Sequence, residues 1–136
     1  MSVGLKQRGK YLGVDPHDPT FRVYADRNAL GSWEEIVITS HGGYVDVRFV
    51  AANKQLCITP TGQLESRPAG AIGEWEQHGL VTEAGVTVLG RSGVLLDVEG
   101  YAPPLAPLRI SGRDFVTESG ARRVLRGCDA FLAYRQ

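Results

Sequence analysis

One tetrad occurs twice in this chain and limits what the chain can fold into. Gly31-Ser32-Trp33-Glu34 returns 42 residues later as Gly73-Glu74-Trp75-Glu76. Each copy follows a short apolar segment: Lys10-Tyr11-Leu12-Gly13-Val14 before the first, Lys54-Gln55-Leu56-Cys57-Ile58 before the second. Leu12 precedes Trp33 by 21 residues, and Leu56 precedes Trp75 by 19. A third, degraded copy puts Leu96 and Val98 in the places of Leu12 and Val14, with Phe115 19 residues beyond Leu96. A period near 40 residues marks a repeat architecture. One such unit cannot bury its apolar face alone, so the units must pack against one another.

Within each unit the apolar residues alternate, which is the period of a half-buried strand. The first unit (about 4–43) predicts strands over 4–8, 11–15, 21–25 and 33–39. On the third of these, Phe21, Val23 and Ala25 take the inward face and Tyr24 the outward one. The second unit (44–85) predicts strands over 44–50, 55–59, 63–67 and 75–82. The third (86–117) predicts 86–89, 94–98, 108–111 and 115–117. Seventeen Gly and seven Pro among 136 residues punctuate these runs and disfavour helices. Four strands per unit and three units give an all-β fold, the β-trefoil: a closed six-stranded barrel capped by three hairpins. Closure removes sheet edges that so many short strands would otherwise expose. Leu12, Leu56 and Leu96, with Trp33, Trp75 and Phe115, are the expected pseudo-threefold core.

Composition narrows the function classes. Lys+Arg and Asp+Glu number 15 each, so no net field draws nucleic acid or an anionic membrane. The basic cluster Arg109, Arg113, Arg122, Arg123 and Arg126 lacks interleaved aromatics. No run of about 18 apolar residues could span a bilayer. The first residues lack the apolar core of a Sec-type export signal, which fits a cytoplasmic or a phage- or cell-surface-associated protein. Two cysteines, Cys57 and Cys128, fit buried free thiols better than a disulfide framework.

Gly9, Lys10, Tyr11, Leu12, Arg27, Gly31, Trp33 and Glu34, then Leu56, Gly73, Trp75 and Glu76, resemble the fascin-like branch of the β-trefoils. The resemblance covers 4–85 well and 86–117 poorly. It implies binding: to actin in animal bundling proteins, to polysaccharide where such domains accompany bacterial carbohydrate-active enzymes. The Gln-x-Trp triplet of ricin-type lectins is absent, so their sugar-site residues are not carried over. Gly112, Phe115, Gly120, Leu125 and Gly127 are similar to the hairpin that opens many glycoside-hydrolase (β/α)₈ barrels. Residues 118–136 are thus either the start of a following catalytic domain or a last hairpin of the trefoil. Val124-Leu125-Arg126-Gly127 echoes 47–50, as a last trefoil hairpin would; the two readings stand level and are not exclusive, since such a leader can still pair with the trefoil.

Enzyme constellations are weak. His17, His41 and His78 stand apart, without metal-ligand spacing, and fit solvated loop or strand positions. Asp15 and Asp18 around His17 fit a capped turn better than a cation site. Glu34 and Glu35 point to opposite faces of a strand and cannot form an acid/base couple; Glu34 is expected to answer a loop arginine. No catalytic residue, metal or cofactor is expected.

Sugar sites combine an aromatic platform with planar or charged hydrogen-bonders. Three clusters qualify: Tyr24, Asp26, Arg27 and Asn28; Gln63, Glu65 and Arg67; Asp97, Glu99 and Tyr101. For the first, the competing assignment packs Tyr24 and Arg27 under the loop with Glu34. The chain is therefore expected to be a monomeric, non-catalytic carbohydrate-binding module that targets a larger glycan-active enzyme to a poly- or oligosaccharide. A protein-interaction module of the actin-bundling kind, and a small stand-alone enzyme or inhibitor, are the alternatives.

Overall fold

The computed structural model describes residues 2–83, 86–101 and 108–110. Among them the chain is all-β, with one 3-10 turn at Glu74–Glu76. The strands are β1 (Gly4–Gln7), β2 (Lys10–Val14), β3 (Val23–Arg27), β4 (Ile36–Ser40), β5 (Val45–Phe49), β6 (Lys54–Ile58), β7 (Leu64–Pro68), β8 (Gly79–Glu83), β9 (Val86–Arg91), β10 (Val94–Glu99) and β11 (Leu108–Ile110). All ladders are antiparallel. They form a seven-stranded sheet, β11-β8-β9-β10-β1-β2-β3, and a four-stranded sheet, β4-β5-β6-β7.

Two single bridges stitch the sheets together. Val3 pairs with Ile36, and Val45 with His78. The Ile36 N–H donates to the Val3 carbonyl at 2.8 Å, and Val45 and His78 exchange two bonds of 2.9 Å. Following the pairs gives a ring, β1-β4-β5-β8-β9-β10 and back to β1. Its interior holds Leu5, Ile36, Val45, Val47, Phe49, Leu80, Leu89 and Leu96; Leu12, Val14, Leu56 and Ile58 extend the same core into the β2–β3 and β6–β7 hairpins. Ring closure leaves the six strands without a free sheet edge, and each fully buried Leu or Phe contributes roughly 1.5–3 kcal/mol of transfer free energy.

The second strands of the three expected units do not share one pairing pattern. β2 and β6 each pair with the preceding strand over two residues and then leave it for the following strand. β10 instead stays on β9 for four residue pairs and then pairs with β1. The β9–β10 turn is tight enough to keep the strands together: Ser92 and Gly93 both have positive φ, as Arg8 and Gly9 do between β1 and β2, the sign pattern of a type I′ hairpin turn. Leu96 is buried like Leu12 and Leu56, but on a ring strand rather than on a cap hairpin. β11, expected as the third strand of the third unit, pairs with β8 of the second.

The Gly-x-Trp-Glu tetrads are turns, where the alternation predicted strand starts at 33 and 75. The Gly31 carbonyl accepts from the Glu34 N–H, and the Gly73 carbonyl from the Glu76 N–H, both at 3.2 Å. A turn breaks the two-residue period and inverts which side chain is covered. Trp33 is half-buried and Trp75 is 36% exposed, whereas Glu34 and Glu76 are 6% and 8% exposed. The tryptophans are therefore not core residues, and Phe115 lies outside the described residues, as do Cys128 and the whole segment 111–136.

Candidate functional site

The two tetrads sit over equivalent places on β2–β3 and β6–β7, and their surroundings can be compared directly. In the first unit, Gly13 lies opposite Tyr24 in the ladder. A Cβ on Gly13 would meet the Tyr24 Oη at 2.5 Å, so the phenol lies flat across bare backbone. The Tyr24 hydroxyl donates to Glu34 Oε2 at 2.5 Å, and the Gly31 N–H donates to Glu34 Oε1 at 3.0 Å. Burial first, and then the Glu34 carboxylate, hold the Tyr24 phenol well above its ordinary pKa. Tyr24 is 7% exposed, so it is not the outward platform expected from alternation. Phe21, Val23 and Ala25 do pack against the core; the opposite face of β3 is simply covered too, by the folded-back tetrad. The carboxylate of Glu34 answers Tyr24 and Gly31 rather than a loop arginine.

The other residues of the first cluster are exposed and engaged with one another. The Arg27 guanidinium lies 4.9 Å from the centre of the Tyr24 ring and 3.6 Å from Asp26. The Lys10 ammonium donates to the Asn28 side-chain carbonyl.

In the second unit the same positions carry different side chains. Cys57, fully buried and free, stands opposite Glu65 where Gly13 stands opposite Tyr24. No large ring fills the space, and the arginine takes another partner. Arg67 Nη2 donates to Glu65 Oε1 at 3.2 Å, and its guanidinium lies 5.5 Å from the centre of the Trp75 ring. The Cys57 thiol beside it, then the carboxylates of Glu65 and Glu76, hold the Arg67 guanidinium above its ordinary pKa. Burial pushes the Cys57 thiol up. Gln63 closes the β6–β7 turn through its backbone, with its N–H on Thr59 Oγ1 at 3.0 Å, and is exposed. The second cluster thus acquires an exposed indole that the sequence placed in the core. Its signal was the tetrad itself, since a Gly three residues before a Glu suits a turn as well as a strand.

The third cluster is divided. Glu99 pairs with Lys6 at 3.6 Å, and Asp97 lies opposite Lys6 in the β10–β1 ladder. Tyr101 is elsewhere, lining a half-open cleft of about 300 Å³ with Val3, Glu35, Ile36, Val37 and Ile38.

The histidines divide as well. His17 is exposed, edge-on to Trp33 at 6.1 Å. Asp15 and Asp18 accept from the backbone N–H groups of His17 and Thr20 at 2.8 and 2.9 Å, which makes 15–20 a capped turn. His41 stacks on Tyr44 at 4.7 Å and bonds the buried carboxylate of Asp46. Asp46 also accepts from Gln55, whose own carbonyl accepts from the Gly70 N–H at 3.4 Å, in the loop that leads to Trp75. His78, expected in solvent, is fully buried. No group of three or more His, Cys, Asp and Glu is placed to hold a metal ion among the described residues. Among the same residues no helix is long and apolar enough to cross a membrane.

No family model matches the sequence, and no curated protein matches it. Among solved structures the chain is similar to a GlcNAcα1-4Gal releasing endo-β-galactosidase from Clostridium perfringens, with a TM-score of 0.52 at 16% identity. The similarity covers 80% of this chain and 31% of that enzyme, so the chain corresponds to under a third of the enzyme's length. At that identity the likeness is one of fold.

Proposed function

We propose that the chain is a non-catalytic carbohydrate-binding module whose binding site is the second unit, with Trp75 as platform and Arg67, Glu65 and Gln63 as its polar rim. The observation that carries this is the Trp75 indole, 36% exposed with a guanidinium at its ring and a carboxylate on that guanidinium. A sugar ring presents an apolar C–H face to the indole and hydroxyls that both accept from Arg67 and donate to Glu65. The fold shared with part of an endo-β-galactosidase agrees with a place beside glycan-active domains, and residues 118–136 would then lead into one. Architecturally the module is a trefoil of the fascin-like kind in which two units keep their cap hairpins and the third contributes β9 and β10 to the ring.

The test is polysaccharide pull-down and calorimetry with the 136-residue chain and its Trp75→Ala variant. Loss of a stacked aromatic is worth roughly 1–3 kcal/mol by analogy with base stacking, so affinity falls about tenfold or more while the melting temperature holds. Trp33→Ala is the matched control and leaves binding intact. Retained binding in Trp75→Ala means that the surface is wrong; retention of a protein ligand but of no glycan favours the interaction-module alternative.

A further inference from the structure

Resting on the saccharide site proposed above, we infer that this site takes uncharged sugars and turns away anionic ones, whether carboxylated or sulfated. The guanidinium over the Trp75 ring is already matched: Glu65 holds it at 3.2 Å. Glu76, adjacent to Trp75 in sequence and buried beneath the turn, adds a second carboxylate felt at the same guanidinium. The 3-10 turn that presents Trp75 carries Glu74 and Glu76 in its first turn and no basic residue in its last. Near the indole lie the carboxylates of Glu65 and Glu76 and the guanidinium of Arg67, with the Arg91 guanidinium at the Gln77 carbonyl that ends the turn. An acidic sugar stacked on Trp75 would bring its charge into that field and would have to compete with Glu65 for Arg67. A neutral sugar uses the same pair without penalty, its hydroxyls bridging donor and acceptor.

The contrast with the first unit supports the point. There the Glu34 carboxylate is capped by Tyr24 and Gly31, and Arg27 lies on a buried ring, with Lys10 close by at Asn28. Arg27 reaches only the exposed Asp26, at 3.6 Å, whereas Arg67 is held by Glu65 at 3.2 Å beside the exposed indole.

The experiment uses a panel of uncharged polysaccharides, each paired with its carboxylated or sulfated form: methyl-esterified and de-esterified homogalacturonan, galactan with and without sulfate, cellulose and its carboxymethyl derivative. Whichever backbone the full chain retains is compared with its anionic partner, in wild type, Trp75→Ala and Glu65→Gln. The expected result is retention of the uncharged form, unaffected by salt and lost in Trp75→Ala, with the anionic form weaker by roughly tenfold at low salt. Glu65→Gln is expected to narrow that gap several-fold, because it removes a repelling charge and keeps a hydrogen-bonding group. Binding of an anionic form through Trp75 at or above the level of its neutral partner overturns the inference and leaves the saccharide site standing. An unchanged ratio in Glu65→Gln overturns it as well. Failure of the folded chain to retain any member of the panel overturns the saccharide site itself.

Discussion

His78 should make this fold sensitive to mild acid, and the size of the effect can be worked from its surroundings. The side chain is 0% exposed. Its Nε2 lies 3.0 Å from the Leu56 carbonyl, so that nitrogen carries the proton and donates, while Nδ1 is buried with no partner. Burial, chiefly, pushes the imidazole pKa down from 6.5 to about 4. The Leu56 carbonyl and the Asp46 carboxylate oppose that fall; the Arg91 guanidinium, which bonds the Ile58 and Gln77 carbonyls, adds to it. The sign follows from which state binds the proton. Above pH 6.5 the imidazole is neutral in both the folded and the unfolded chain, and His78 gives no pH dependence. As pH falls from 6.5 toward 4, the unfolded chain takes up a proton that the folded chain refuses. Stability then drops by about 1.4 kcal/mol per pH unit. The full loss is about 3 kcal/mol, a large share of the 5–15 kcal/mol typical of a domain. Urea denaturation at a series of pH values from neutral to about 4.5 measures it. His78→Gln keeps a donor for Leu56 but does not titrate, and its stability should fall by about 2–3 kcal/mol less over that range. His17 and His41 are present in both proteins and cancel in the difference. Equal slopes for wild type and variant would refute the argument.

Three further outcomes are expected. Gly13→Ala puts a methyl group 2.5 Å from the Tyr24 hydroxyl and 2.6 Å from its ring, and thermal unfolding should show a loss of roughly 1–3 kcal/mol. Tyr24→Phe removes the donor to a buried Glu34 carboxylate and should cost about 1–3 kcal/mol, without affecting glycan retention, which is assigned to the second unit. Leu96→Ala should cost about 2–5 kcal/mol, because Leu96 is fully buried on a ring strand; a cost below about 1 kcal/mol would argue against β10 closing the ring.

The strand period was legible in the sequence, because it depends on local order alone. Alternation over 45–49 and the apolar run at 56–58, with Asn53 at positive φ between the strands, fix where strands can form and where the chain must reverse. It also marked Leu12, Leu56 and Leu96 as buried, since an apolar residue on the inward side of a short strand has one place to go. Asp26, Arg27, Asn28 and Glu99 were legible as exposed positions near strand ends. Their partners were not: Lys6 answers Glu99 across β1–β10, a pairing between residues 93 apart in the chain that no local pattern announces.

What the sequence determined by itself is thus an all-β chain of short strands with a buried leucine on each of β2, β6 and β10. The tertiary structure decided which face of each tetrad is covered. A Trp and a Glu side by side can exchange places between core and surface when one turn replaces the first residues of a strand, and burial of the glutamates became tolerable only because Tyr24 and Gly31 satisfy Glu34 and because Cys57 and Arg67 lie beside Glu76. It also decided that the third unit closes the ring instead of capping it. β10 holds β9 through a local hairpin and also reaches β1 at the far end of the chain, a long-range pairing that residue type and spacing leave open.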